Sequence, residues 1–274
     1  MREHSRGTAR WNGKVDAQFM SDSHLTRRHD NTRVRAIILA TQRTGSTFLV
    51  ECLRSHPEIE CSGEILNGAP DVPVPTYRGP LRLVLKGWRI AKTGSWMPGR
   101  RLDAFYGRGS AKVRCFKIMY NHLSRPFVLR YFLEYEDVRV MHLRRHNLLK
   151  VHVSTLLMDK RREVQATAPR ESVWIRVNPA KAIASMRKAR ALCESFDKTF
   201  ERHPRLQIAY ESLFDGRYLQ SATSRRICDF LGVSQHRMES QLVKLNPESL
   251  RNMVLNYAEL ENAISKTEFA NMLE

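Results

Sequence analysis

The sequence predicts an α/β fold, a three-layer sandwich whose central sheet is mainly parallel. Three observations predict it. Short runs dominated by apolar and β-branched residues, Val34–Ala40, Lys112–Tyr120, Val138–Leu143 and Leu206–Tyr210, read as strands buried on both faces. Stretches with helical spacing separate them, the alternation expected of crossover helices on a parallel sheet. The first run also ends in Thr41-Gln42-Arg43-Thr44-Gly45-Ser46-Thr47, a glycine turn that leads straight into a helix.

Each element follows from its residues. Val34–Ala40 is short, apolar and β-branched. Ser46–Arg54 is a helix closed by His56-Pro57, with Phe48, Leu49, Cys52 and Leu53 at the spacing of one buried face. Ser62–Leu66 marks a turn or a short strand end. Pro70, Pro73, Pro75 and Pro80 exclude a long helix there and predict a surface loop. Basic residues then dominate from Arg78 to Arg114, against Asp103 alone. After the Lys112–Tyr120 strand comes Asn121-His122, then a helix to about Tyr135 with Ser124 as its cap and Pro126 in its first turn. Val138–Leu143 ends in Arg144-Arg145-His146-Asn147, and a helix runs on to about Asp159. Asn178-Pro179 opens a long helix reaching about Arg202. Ser221–Leu231 is a helix stopped by Gly232, and the chain is helical again from Tyr257.

Composition narrows the function classes. A chain of 274 residues with 42% hydrophobic content can bury one sizeable core. One domain, 34–274, is therefore expected, preceded by a basic, flexible arm, 1–33. The arm has no apolar central region and does not read as a secretory signal. A net charge of +18 and a pI of about 10.2 call for anionic partners. Nucleic acid, an acidic membrane surface, an anionic glycan and a multiply charged cofactor all qualify. No apolar run approaches the ~20 residues of a membrane span. Five cysteines, Cys52, Cys61, Cys115, Cys193 and Cys228, are odd in number and lack zinc spacing. They read as reduced thiols of a cytoplasmic protein.

Chemistry concentrates where the strands end, since ligands of open parallel sheets bind beyond the carboxyl ends. The Thr41–Thr47 turn offers helix N–H groups, hydroxyls and the Arg43 guanidinium to one anion. It departs from the nucleoside-triphosphate loop G-x-x-x-x-G-K-[ST]: Ala40 stands at the first glycine and Ser46 at the lysine. A second cationic loop holds Arg144 and Arg145, with Ser154 nine residues after Arg145 on the next helix. A third strand end carries Lys117 and His122. Two separate cationic sites suggest a ligand with two separated anionic groups.

These segments, in this order, resemble the sulfotransferases that use 3′-phosphoadenosine 5′-phosphosulfate (PAPS). The likeness is closest to the bacterial carbohydrate type, similar to the nodulation-factor and lipopolysaccharide sulfotransferases. "ATQRTGSTFLVECLRSHP" is similar to the family's 5′-phosphosulfate loop, in which Arg-x-Gly-[Ser/Thr]-[Ser/Thr] replaces the triphosphate motif. "CSGEIL" resembles the Gly-Glu segment that carries the proposed base. "VRVMHLRRHNLLKVHVSTL" resembles the strand, loop and helix that hold the 3′-phosphate through an arginine and a serine. "IAYESLFDG" and "ICDFLGV" are similar to the family's C-terminal strand and helix.

The resemblance implies a P-loop-like sulfotransferase fold and PAPS as co-substrate, with no metal. Arg43, Thr44, Gly45, Ser46 and Thr47 would bind the 5′-phosphosulfate, and Ser154 with Arg144 or Arg145 the 3′-phosphate. Family members often place the arginine eight residues before the serine, and that position here is His146, so the choice between Arg144 and Arg145 stays open. An acceptor hydroxyl would attack sulfur in line. Glu64 would take its proton, with His122 the competing base and Arg43 stabilising the developing charge. Lys117 is placed to contact the bridging oxygen. The Arg-x-Gly-x-x-Gly motif of the cytosolic eukaryotic enzymes is missing, which argues against phenol and steroid acceptors, and the resemblance implies a carbohydrate or glycolipid acceptor. Such an acceptor would bring the protein to cytoplasmic precursors or into peripheral contact with the inner membrane surface. Two other readings compete. A kinase with a degenerate phosphate loop lacks the loop lysine and evident magnesium carboxylates. A basic nucleic-acid-binding protein explains the charge but not the two strand-end sites.

Overall fold

The first predicted strand occupies the centre of the sheet. β1 (Val34–Ala40) pairs on one side with β3 (Val113–Met119) and on the other with β4 (Arg139–Arg144). β2 (Ile59–Ser62) lies outside β3, and β5 (Arg205–Ala209) outside β4, giving the order β2-β3-β1-β4-β5. All these pairings are parallel. The computed structural model describes residues 33–67, 98–161, 174–242 and 249–273.

Alternation along β1 explains the three layers. Ala36, Ile38 and Ala40 face one core, shared with α1 (Ser46–Arg54) and, across the sheet, α6 (Ser221–Leu231). Ile37 and Leu39 face the other, shared with α2 (Pro98–Tyr106), α3 (Pro126–Glu134) and the end of α5 (Pro179–Thr199). A strand buried on both faces has no solvent side, so the run is apolar instead of alternating. Each fully buried Ile or Leu contributes about 1.5–3 kcal/mol of transfer free energy. A third cluster packs α4 (Leu148–Arg161) and α5 against α7 (Leu250–Met253) and α8 (Tyr257–Ile264).

The chain leaves β1 toward β2 and β3, then crosses back to β4 on the other side. That reversal opens a crevice at the carboxyl ends of β1, β3 and β4, the usual ligand position in such sheets.

β1, α1 and α6 have the bounds their sequences predict. Ser124 does not cap α3. A 3₁₀ turn spans Tyr120–Ser124, the Ser124 hydroxyl donates back to Asn121 O (2.7 Å), and Arg125 occupies the cap position without a side-chain bond. Pro126 does open the helix. The segment around Ser62 begins earlier than expected, as the edge strand β2. α2 and a two-residue hairpin, β6 (Phe214–Asp215) with β7 (Tyr218–Leu219), were not anticipated. The arm up to residue 32, the proline-rich loop and the basic stretch before Pro98 lie outside the described residues. Among the described residues, no helix is long and apolar enough to cross a membrane.

Candidate functional site

The turn after β1 is built on two left-handed residues. Arg43 has φ 63° and Gly45 φ 75°. A left-handed non-glycine residue is strained by on the order of 1 kcal/mol or more, and such strain gathers at functional sites. The Thr44 hydroxyl donates to Thr41 O at 2.7 Å and ties the turn to itself. Gly45 precedes α1, and Leu49 N–H is the donor that meets its carbonyl (3.1 Å). The N–H groups of Ser46, Thr47 and Phe48 therefore stand in the first turn of the helix, an anion-binding end. Gly45 is closely packed as well as left-handed: a Cβ there would stand 3.0 Å from both Leu213 Cδ1 and Tyr210 Cδ2, so those side chains would have to give way.

Two loops close on this turn. Arg43 Nε donates to Ser154 Oγ at 2.9 Å, joining the turn to α4. Arg145, just past β4, donates from Nη1 to the Arg43 carbonyl at 3.3 Å and lays its guanidinium over the Tyr210 ring, 4.2 Å from the centroid. Burial, then the Arg145 charge, push the Arg43 guanidinium below its ordinary value. Burial does the same to Arg145, against opposition from Tyr210 and Glu211. Two guanidiniums held close together and partly withdrawn from water gain from an anion placed between them. Arg145 Nε is buried and has no partner among the described residues. These donors fit a ligand with two anionic groups.

Arg144 faces elsewhere. It forms an ion pair with Asp197 of α5 and approaches His142 Nδ1 at 3.3 Å. His142 continues the chain of contacts, 3.1 Å from Asp197 Oδ1 and 2.5 Å from the Tyr120 hydroxyl. Burial, reinforced by the Arg144 charge, lowers the His142 pKa to about 4, so the ring is neutral near pH 7. His142 is thus the structural histidine its place in a buried strand suggests. The geometry brings Arg145, and not Arg144, against the turn. Strand alternation turns Arg144 onto the His142 side, toward α5, while Arg145 leaves the strand and is free to cross the crevice.

On the β3 side stands a single carboxylate, Glu64, with polar partners around it. Gly63 follows β2, and its carbonyl accepts from Lys117 N–H (3.3 Å), which fixes Glu64 beside β3. Lys117, 8% exposed, reaches Glu64 Oε1 at 2.9 Å and Thr47 Oγ1 at 3.3 Å. His122, 2% exposed, lies with Nε2 3.7 Å from Glu64 Oε2 and 3.0 Å from Asn67 Oδ1. Its Nδ1 accepts the Met119 N–H (3.2 Å), so the neutral ring carries its proton on Nε2, toward Asn67 and Glu64. Burial raises the Glu64 pKa, but Lys117, Asn67 and His122 together outweigh it and hold the carboxyl below its ordinary 4.5. Glu64 is ionised at neutral pH, partly exposed to solvent, and linked to the anion turn through Lys117.

The structure therefore gathers Arg43, Thr44, Gly45, Ser46, Thr47, Ser154 and Arg145 at one place, with Glu64, Lys117 and His122 beside it. Sequence reasoning passed over Asn67 and Tyr210. Tyr210 was signalled by position alone, as the first residue past β5 on the same strand-end edge. Among the described residues, no group of three or more His, Cys, Asp or Glu is placed to hold a metal ion.

No protein-family model matches the chain, and no curated protein matches it in sequence. Several solved structures are similar to it, among them two sulfotransferases. A sulfotransferase from Alicyclobacillus acidocaldarius is 16% identical, over 88% of this chain and 97% of that one, with a TM-score of 0.44. The sulfotransferase domain from the Synechococcus PCC 7002 olefin synthase is 18% identical, over 90% of this chain and 82% of that one, with a TM-score of 0.42.

Proposed function

We propose that this protein transfers a sulfuryl group from PAPS to a hydroxyl of a carbohydrate or glycolipid acceptor. The observation that carries the reading is the convergence of Arg43, Ser154 and Arg145 on the Gly45 turn. It links the Arg43–Thr47 turn to the Arg145–Ser154 segment, which the sequence resemblance separately implies for the 5′-phosphosulfate and the 3′-phosphate. The acceptor class rests on the resemblance of Cys61–Leu66 to the bacterial carbohydrate type. Free cysteines and the basic charge suit a cytoplasmic enzyme meeting anionic or membrane-associated acceptors.

The bound donor supplies a sulfuryl group attached to a phosphate leaving group. The α1 N–H groups, Ser46, Thr47 and Arg43 hold its 5′ end, and Arg145 with Ser154 holds the 3′-phosphate. Glu64, kept ionised, accepts the proton of the attacking hydroxyl. Lys117 lies between Glu64 and Thr47 and balances charge gathering on the leaving-group side as Glu64 is neutralised. With both ring nitrogens engaged, His122 orients Glu64 through Asn67 and is less suited to be the base.

The test is transfer of labelled sulfate from PAPS onto a panel of glycans and glycolipids with chelator present. Transfer is expected with the wild-type chain, and Glu64→Gln and Arg43→Ala should each lower turnover by about a hundredfold or more. Full turnover in Arg43→Ala would contradict the site, and full turnover in Glu64→Gln would contradict the base.

A further inference from the structure

Tyr210 meets both the Gly45 turn and Arg145 without belonging to either arginine loop. Its ring stands where a Gly45 Cβ would strike it, 3.0 Å from Cδ2. The same ring carries the Arg145 guanidinium on its face at 4.2 Å. Phe214 backs it with ring centroids 5.1 Å apart, and Phe214 in turn lies 4.5 Å from Phe48 of α1. The neighbouring Glu211 accepts from the backbone N–H groups of His146 and Asn147, at 3.0 and 3.4 Å. The end of β5 thus grips the Gly45 turn with one residue and the loop after β4 with two.

This grip has a consequence for recognition. Arg145 has few fixed partners: one bond of 3.3 Å to the Arg43 carbonyl, and an Nε with none among the described residues. A guanidinium on a long side chain loses rotamer freedom when it binds, unless something already holds its plane. The Tyr210 face does so, and the ring's own position is fixed by contact with the Gly45 turn. We infer that Tyr210 is a positioning residue that pre-orders Arg145 against the anion turn. The two anionic groups of one nucleotide are then recognised as a coupled pair, and the 3′-phosphate preference of the site depends on the Tyr210 ring. This rests on the nucleotide reading proposed above. It adds a residue that acts through Arg145 and predicts that its hydroxyl is dispensable for the effect.

Calorimetric binding of adenosine 3′,5′-bisphosphate and of adenosine 5′-monophosphate tests it, with the preference between the two as the readout. Wild type should prefer the bisphosphate. Tyr210→Leu should reduce that preference on the order of tenfold, through weaker bisphosphate binding alone. Tyr210→Phe should keep the preference, and adding Tyr210→Leu to Arg145→Ala should change it no further. Arg145→Lys keeps the charge but not the stacked plane, so it should lose the preference as Tyr210→Leu does. It carries the test if Tyr210→Leu does not fold. Equal weakening of both nucleotides by Tyr210→Leu, or additivity with Arg145→Ala, would overturn the positioning role. So would a retained preference in Arg145→Lys. A wild-type chain with no preference would overturn the nucleotide reading itself, and the positioning role with it.

Discussion

Replacing Gly45 with alanine tests how closely the anion turn is packed. Two costs add. At φ 75° an L residue other than glycine is unfavourable by about 1–2 kcal/mol. The new Cβ also stands 3.0 Å from Leu213 Cδ1 and from Tyr210 Cδ2, and relieving such overpacking costs about 1–3 kcal/mol more. The sum is a loss of about 2–5 kcal/mol. Gly216 provides the control, because it too is left-handed, at φ 59°, but a Cβ there meets nothing within 4 Å. Gly216→Ala should lose only the conformational part, about 1–2 kcal/mol. Urea unfolding of both variants against wild type measures the difference. Gly45→Ala should also weaken bisphosphate binding, since relief of the contact moves the ring that holds Arg145, whereas Gly216→Ala should not. Equal losses in the two variants would refute the close-packing argument.

Three further outcomes follow from the same contacts. Between pH 6.5 and 4 the unfolded chain takes up a proton at His142 that the folded chain, with a pKa near 4, refuses, so stability falls with pH across that window. Unfolding measured at pH 7 and pH 5 should show about 2 kcal/mol of this loss in wild type; His142→Gln should remove it, and an unchanged loss would contradict the buried neutral ring. Lys117→Met removes the strongest attraction holding Glu64 ionised, so its pKa rises and the acid limb of the turnover–pH profile should move to higher pH. A limb that stays in place would mean Glu64 is not the group titrating. Arg144→Lys should cost stability through its Asp197 and His142 contacts while leaving the preference for the bisphosphate intact; a lost preference would return Arg144 to the anion site.

What the sequence revealed depended on how local the signal was. β1, α1 and α6 were legible to the residue because an apolar run, a glycine turn and Gly232 each mark a boundary chemically. β2 was not. Ile59-Glu60-Cys61-Ser62 is an edge strand with polar residues at alternate positions, too short for its period to stand out. α2 was hidden inside the basic stretch, where Leu102 and Tyr106 form the buried face but charges dominate the count. The site followed the same rule. Arg43, Gly45 and Ser46 sit in one contiguous turn and could be read together. Which of the two arginines lies against the turn is set by a ring 65 positions from Arg145, Tyr210, and by Asp197 on α5, which holds Arg144. Contacts between distant segments leave no local pattern, so the pairing of the two arginines had to wait for the fold.

The proposed function requires that the Gly45 turn and the Arg145–Ser154 segment form one site for a nucleoside 3′,5′-bisphosphate. Thermal unfolding with adenosine 3′,5′-bisphosphate or ADP, in chelator, measures it most directly. A ligand at about a hundred times its dissociation constant stabilises a folded chain by about 2.7 kcal/mol, enough to raise the midpoint by several degrees. The bisphosphate should produce that rise and ADP should not. Equal stabilisation by the two, or by neither, would contradict the claim.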